Sequence, residues 1–302
     1  MVTDSFYKKV LKIQTEHVTK DAPMADYTTF KIGGPADLLV EPESIDAFTR
    51  LLQLCHAEHV PLMVIGAGSN LLVSDKGIDG VVVKFGDAFD FVTTNGTEIT
   101  CGSGTSLAKL AKHAQRAGLS GLEFASGIPG NVGGAIYMNA GAYGGEMKDV
   151  VMETTYIDED GTIQTVKGDA HEFSYRHSLF CQGKKYIISA KMKLILKNPE
   201  EILKNMQELN AKRKEKQPLE KPSAGSTFKR PEGHFAGKLI EDAGLKGASF
   251  GGASISEKHA GFVVNNGGAT CSDVVSLIQH VQAVVLEKFG VTLEPEIRVI
   301  GR

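Results

Sequence analysis

The stretch from Gly121 to Gly145, G-L-E-F-A-S-G-I-P-G-N-V-G-G-A-I-Y-M-N-A-G-A-Y-G-G, constrains the fold more than any other part of the 302-residue chain. Each glycine inside a regular element costs roughly 0.5–1 kcal/mol relative to alanine. This density therefore predicts an irregular segment, neither helix nor strand. The glycines alternate with small or amide residues, among them Ala125, Ser126, Asn131, Ala135, Asn139 and Ala142. Backbone N–H groups together with Ser and Asn suit a phosphate or the polar edge of a heterocyclic ring. The other reading of the same residues is a loop that needs positive φ angles and holds no ligand.

Composition narrows the class. The length suits two domains with a substantial core. A formal net charge of −3 argues against broad nucleic-acid binding. Cys55, Cys101, Cys181 and Cys271 are far apart and form no C-x-x-C pair. Neither a zinc signature nor a disulfide framework is expected, and a reducing, cytoplasmic setting is. The first residues, M-V-T-D-S-F-Y-K-K-V, carry charge where a signal peptide needs an apolar core. No apolar run approaches the ~20 residues of a membrane span. A cytoplasmic enzyme or binding protein is expected, with no metal and no membrane partner.

Taken in order, residues 4–18 read as an amphipathic helix capped by Asp4 or Ser5, followed by a polar loop over 21–31. A strand (36–41), a helix capped by Ser44 and a buried strand (61–65) follow. This unit delivers Gly66-Ala67-Gly68-Ser69-Asn70. A Rossmann reading fails there, because the next residues read as a turn and another strand rather than a helix. A pyrophosphate at this loop would be held by consecutive loop amides; a tight turn without ligand is the alternative. Strands over 81–85 and 98–101 and a helix over 106–117 lead into the glycine-rich stretch. A hairpin (150–157 and 162–166) and a long strand (186–196) follow it. A helix over 202–214 ends in Lys212, Arg213, Lys214 and Lys216, which the helix dipole alone would explain. The proline-rich loop 217–231, a helix over 235–243, strands over 247–255 and 262–264, a helix over 271–289 and short strands at 291–293 and 297–300 complete the chain.

The motifs I-G-A-G-S-N-L-L (65–72), S-G-I-P-G-N-V-G-G-A-I-Y-M-N-A-G-A-Y-G (126–144), Y-R-H-S (175–178), A-G-S-T-F-K-R-P (224–231) and E-P-E-I-R (294–298) together closely resemble the UDP-N-acetylenolpyruvoylglucosamine reductase family, also called UDP-N-acetylmuramate dehydrogenase. The resemblance runs from about Thr28 to Ile300. It implies an α+β fold: a two-lobed FAD-binding domain of the vanillyl-alcohol oxidase/p-cresol methylhydroxylase type, plus a C-terminal α+β substrate-binding domain. The implied division is 1–198 for FAD, with 294–302 returning to the active site, and 199–293 for substrate. Some members insert a lid loop with a Tyr after Y-R-x-S. Here only residues 179–185 separate that segment from the next strand, so the chain resembles the shorter subtype.

The resemblance implies reduction of UDP-N-acetylglucosamine enolpyruvate to UDP-N-acetylmuramate, a step of peptidoglycan and cell-wall synthesis. Non-covalent FAD and the co-substrate NADPH are implied with it. Hydride passes from flavin N5 to C3, and C2 takes a proton. Ser226 matches the proton donor; Arg176 and Glu296 match the other two catalytic residues. Arg176 is assigned to the substrate carboxylate or developing enolate, because a planar cation suits delocalised charge. Without the motif, Ser226 would read as a loop Ser bonding its own backbone, and Glu296 as a surface acid. Candidate FAD contacts are Gly66, Ala67, Gly68, Ser69, Asn70 and Leu71, with Ser126, Gly127, Pro129, Gly130, Asn131, Gly133, Gly134 and Ala135. Arg213, Lys216, Lys229 and Arg230 are candidates for the UDP diphosphate, which needs two or more cations. A monomer is expected. Two other readings stay open: another FAD-dependent hydroxy-acid oxidoreductase, and a non-catalytic nucleotide-sugar binding module.

Overall fold

A computed structural model describes residues 2–302. The chain forms two compact units that interleave along the sequence. The first takes in the residues up to Lys20, Leu38–Ala67 and Gly80–Lys212; the second takes in Asp21–Asp37, Gly68–Asp79 and Arg213–Arg302.

In the first unit, the helix Ile45–Ala57 begins where Ser44 Oγ accepts a hydrogen bond from Ala47 N at 3.0 Å. Its buried face, Phe48, Leu51, Leu52 and Cys55, packs with Leu38, Val40, Val81, Val83, Phe85 and Tyr186 in one core. The strands Leu62–Ile65 and Ile78–Lys84 run parallel, with Leu62 opposite Val81 and Ile65 opposite Lys84. A second core lies against a five-stranded antiparallel sheet ordered Ile163–Lys167, Val151–Ile157, Tyr186–Lys193, Glu98–Gly102, Val92–Asn95. The helix Leu107–Arg116, capped by Ser106, buries Leu107, Leu110, Ala111 and Ala114 there.

The second unit has its own core. The helix Cys271–Phe289 starts from a reciprocal cap, with Thr270 Oγ1 and the Asp273 carboxylate each accepting the other's backbone N–H at 3.0 Å. Val274, Leu277, Ile278 and Val281 pack with Ile240, Val263, Leu293, Phe30 and Leu72. A three-stranded sheet, Ser249–Phe250, Ala253–Ile255 and Val263–Asn265, lies in this unit. Arg298–Ile300 pairs in parallel with Leu71–Val73.

Several elements differ from the sequence reading. The first helix covers only Asp4–Val10, with Thr3 as its cap, and Val18–Pro23 is a strand. Buried Gln14 ends the helix: its amide donates to Glu16 O and Glu41 O, both at 2.9 Å, and its Oε1 accepts from Glu43 N at 3.3 Å. The expected strand at 247–255 is a hairpin that turns at Gly251-Gly252, and residues 291–293 are not a strand. The glycine-rich stretch also holds a helix, Val132–Tyr137. Its Val132, Ala135 and Ile136 are buried at i, i+3 and i+4, so packing of one apolar face overrides glycine's poor propensity.

Candidate functional site

Within the first unit, two glycine turns are laced together. Val132 N donates to Thr105 O (2.9 Å), Gly133 N to Ser103 O (2.9 Å) and Leu107 N to Gly130 O (3.0 Å). The Asn131 amide donates to Gly104 O at 2.6 Å, and an added Cβ on Gly66 would sit 3.4 Å from Asn131 Cβ. Gly66, the 102–105 turn and the start of the 132–137 helix therefore line one region. Ser126 Oγ donates to Glu123 O at 2.9 Å, so that candidate is engaged by its own turn.

The glycines here divide into two kinds. A Cβ on Gly133 would sit 3.0 Å from Ser103 Cβ, tighter than an ordinary contact, so protein packing favours glycine there. A Cβ on Gly134 would meet nothing within 4 Å, and the residue is exposed. Glycine inside a helix without a packing reason carries a stability penalty. A ligand approaching the backbone at Gly134 supplies the missing reason. The Ser103 hydroxyl behind Gly133 is buried and has no hydrogen-bond partner in the protein. Small residues, backbone amides and open space at Gly134 fit a flat, phosphate-bearing cofactor such as FAD.

Arg176, also in the first unit, is half-buried at the tip of a tight turn. Ser174 and His177 exchange backbone hydrogen bonds of 3.1 and 3.2 Å, leaving Tyr175-Arg176 as the tip, with Arg176 at φ 55°. The guanidinium lies 5.1 Å from the Tyr175 ring centroid. Ser178 Oγ donates to Tyr137 O at 2.8 Å and fixes the turn to the end of the short helix. Asn139 is fully buried and donates to both Ser174 O and Glu146 Oε2 at 3.0 Å. Lys148 pairs with Glu146 at 2.9 Å. The hydrogen bond from Lys148, then that from Asn139 and the charges of Lys148 and Arg176, hold the Glu146 carboxyl below its ordinary range despite the opposing effect of burial. The sequence reading noted Asn139 only as one small polar residue among many and did not single out Glu146. The available signal was an Asn in a glycine-rich run, since Asn tolerates the left-handed backbone that it adopts here at φ 43°.

Ser226 and Glu296 both lie in the second unit, on adjacent backbone. Glu296 N donates to Thr227 O at 2.8 Å, Lys229 N donates to Glu294 O at 2.8 Å, and Phe228 bridges Pro295. On its other side the Ser226 loop is tied to Phe262 and Gly261, with Thr227 N donating to Gly261 O at 2.8 Å. Ser226 is exposed and Glu296 half-buried. Asn70 reaches the same segment: its side-chain amide donates to Glu296 O at 3.2 Å, and its backbone carbonyl accepts from Arg298 N at 2.9 Å. Gly68, at φ 63°, is a glycine by necessity, because a Cβ would lie 2.2 Å from Tyr27 O.

The four candidate diphosphate cations, also in the second unit, are disposed differently. Arg213 is 8 % exposed, at the end of the helix Pro199–Lys216, and Lys216 is exposed. Lys229 pairs with Glu294. Arg230 stacks over the Phe235 ring at 4.0 Å. Among the described residues, no group of three or more His, Cys, Asp or Glu is placed to hold a metal ion. No helix among them is long and apolar enough to cross a membrane. Burial pushes the Cys55 and Cys101 thiols up to about 12, which makes both core residues rather than nucleophiles.

Residues 36–167 match the FAD binding domain family, and residues 217–300 match the family described as UDP-N-acetylenolpyruvoylglucosamine reductase, C-terminal domain. Fold and glycine cradle together define an FAD-dependent oxidoreductase. The chain is 51 % identical over 293 residues to UDP-N-acetylenolpyruvoylglucosamine reductase of Lachnoclostridium phytofermentans, covering 96 % of this chain and 94 % of that one. It is 53 % identical over 294 residues to the protein of the same name from Agathobacter rectalis, covering 93 % of each. The crystal structure of the Thermus caldophilus reductase superimposes with a TM-score of 0.81 at 38 % identity, over 93 % of this chain and 97 % of that one. The chain belongs to the UDP-N-acetylenolpyruvoylglucosamine reductase family. A glucose dehydrogenase, Phl p 4.0202, shares the fold at 12 % identity and a TM-score of 0.51, covering 96 % of this chain and 64 % of that one. The short passage between the Y-R-H-S turn and the strand Tyr186–Lys193 is a single turn, Leu179–Cys181, and a bend, as the shorter subtype requires.

Proposed function

We propose that the protein reduces UDP-N-acetylglucosamine enolpyruvate to UDP-N-acetylmuramate in the cytoplasm, as a monomer, with NADPH as electron donor. The observation that carries this reading is the family match over residues 217–300, which contain Ser226 and Glu296 on adjacent backbone. FAD, when bound, would supply the hydride chemistry that links NADPH to C3 of the enolpyruvyl group. The residues proposed to hold it are Gly66, Ala67, Gly68, Ser69, Asn70 and Leu71, with Ser126, Gly127, Pro129, Gly130, Asn131, Gly133, Gly134 and Ala135.

The chain's own residues do the rest. Arg176 binds the substrate carboxylate and stabilises the charge that develops on it, a task for a delocalised, permanently charged cation. Ser226 Oγ delivers the proton to C2. A hydroxyl is a weak acid in water, so it serves only opposite a strong acceptor in a dry, preorganised site. Glu296 polarises the same group. Arg213, Lys216, Lys229 and Arg230 neutralise the UDP diphosphate, which fits the two phosphate charges and Arg's forked geometry. The proposed division of labour is FAD binding by 1–198 with 294–302, and substrate binding by 199–293. The family ranges 36–167 and 217–300 support it.

An anaerobic visible spectrum tests the reading. The purified protein is expected to be yellow, to bleach with NADPH, and to recolour when the enolpyruvyl ether of UDP-N-acetylglucosamine is added. Bleaching without recolouring would remove the substrate assignment. A protein that stays colourless after incubation with FAD would favour a binding module.

A further inference from the structure

Arg176 sits in a conformation that an arginine rarely adopts. Its φ of 55° lies in the left-handed region. A bulky residue persists there only where its surroundings over-determine the backbone, and such strain collects at functional sites. The surroundings here are Asn139 of the glycine-rich stretch and Glu146, the residue that follows it. Buried Asn139, itself at φ 43°, spends its amide on Ser174 O, the base of the Arg176 turn, and on Glu146 Oε2. Its Oδ1 accepts from Lys148 N at 2.9 Å. Glu146 is fixed in turn by Lys148 Nζ at 2.9 Å, and its backbone N–H donates to Asp149 Oδ2 at 2.8 Å. One buried amide thus ties the turn that carries the cation to a carboxylate that Lys148 also holds.

We propose that Asn139 and Glu146 position Arg176: Asn139 holds the backbone of its turn, and Glu146 orients the guanidinium as its anionic partner until a substrate carboxylate takes that place. Glu146 is a positioning residue, acting through Arg176. The inference rests on the reading of Arg176 as the substrate-carboxylate ligand. A preset guanidinium needs no reorganisation when the substrate arrives, which is where preorganised sites gain their rate.

The test uses the FAD-loaded enzyme with Glu146→Gln, Arg176→Ala and the double variant, reading kcat and KM for the enolpyruvyl substrate. The flavin spectrum and thermal melt report the fold. Glu146→Gln is expected to keep the wild-type spectrum and to lower kcat/KM on the order of tenfold. Glu146→Asp, which retains the charge, recovers most of the loss. In the Arg176→Ala background, Glu146→Gln changes nothing further. A Glu146→Gln enzyme as fast as wild type, or an equal loss in both backgrounds, would overturn the proposal. Arg176→Ala with unimpaired kcat and KM would instead overturn the parent reading, and the inference with it. Should Glu146→Gln fail to fold, Lys148→Met asks the question from the exposed side. It leaves Glu146 free to hold Arg176 more tightly, so substrate KM rises several-fold; an unchanged KM overturns the proposal.

Discussion

Asn70 donates its side-chain amide to the backbone carbonyl of Glu296 at 3.2 Å. It also accepts from Arg298 N at 2.9 Å. The last residue of the G-A-G-S-N loop therefore braces the backbone of the candidate acid. Asn70→Ala is expected to lower stability by about 1 kcal/mol, the usual net worth of one such hydrogen bond. It should slow substrate reduction more than it weakens FAD binding. Urea unfolding and a flavin titration of the apoprotein check both; weakened FAD binding with intact turnover would make Asn70 a cofactor ligand only.

Gly134 offers a sharper separation of stability from binding. Its added Cβ meets no protein atom within 4 Å. Gly134→Ala should stabilise the apoprotein by roughly 0.5–1 kcal/mol, the ordinary helical difference. The same change should weaken FAD binding, because the methyl occupies the open side of the cradle. Gly133→Ala serves as contrast. Its Cβ would lie 3.0 Å from Ser103 Cβ, so it should destabilise the apoprotein.

His171 sets a pH dependence. It is fully buried between two hydrogen bonds, with Nδ1 donating to Gly168 O at 2.9 Å and Nε2 accepting from Thr154 Oγ1 at 2.9 Å. A carbonyl can only accept, which assigns the proton to Nδ1. Burial holds its pKa below the ordinary 6.5, against the opposing effect of the Gly168 hydrogen bond. Above that value neither folded nor unfolded chain protonates the ring, and the contribution is constant. Below it the unfolded chain takes up a proton that the folded chain refuses, so stability falls with pH. The stability advantage of wild type over His171→Gln should shrink from pH 7.5 to pH 5, and urea midpoints at several pH values measure this. An advantage independent of pH would mean that the ring takes up its proton alike in the folded and unfolded chain.

Much of the fold was legible because local signals agreed with packing. Ser44 caps the helix it precedes, as its position before the apolar face suggested. The failure of the Rossmann pattern after Asn70 was readable too, since no helix follows, although the short strand Leu71–Val73 was not expected there. What stayed hidden depends on partners distant in sequence. Gln14 ends the first helix by bonding Glu41 and Glu43. The 132–137 helix forms because Thr105 O and Ser103 O receive its first amides. At the candidate site, the resemblance to the family brought out Ser226, Arg176 and Glu296. It carried no sign that Glu296 N–H would bond Thr227 O, or that Asn139 would hold the Arg176 turn. Those contacts join residues tens of positions apart or more, and no local pattern encodes them.

The most direct test is Ser226→Ala in anaerobic stopped flow, with the two half-reactions followed separately. Bleaching by NADPH should proceed nearly as in wild type, while recolouring by the enolpyruvyl substrate should slow by at least ~100-fold. Recolouring at the wild-type rate would remove Ser226 from the proton transfer and contradict the account.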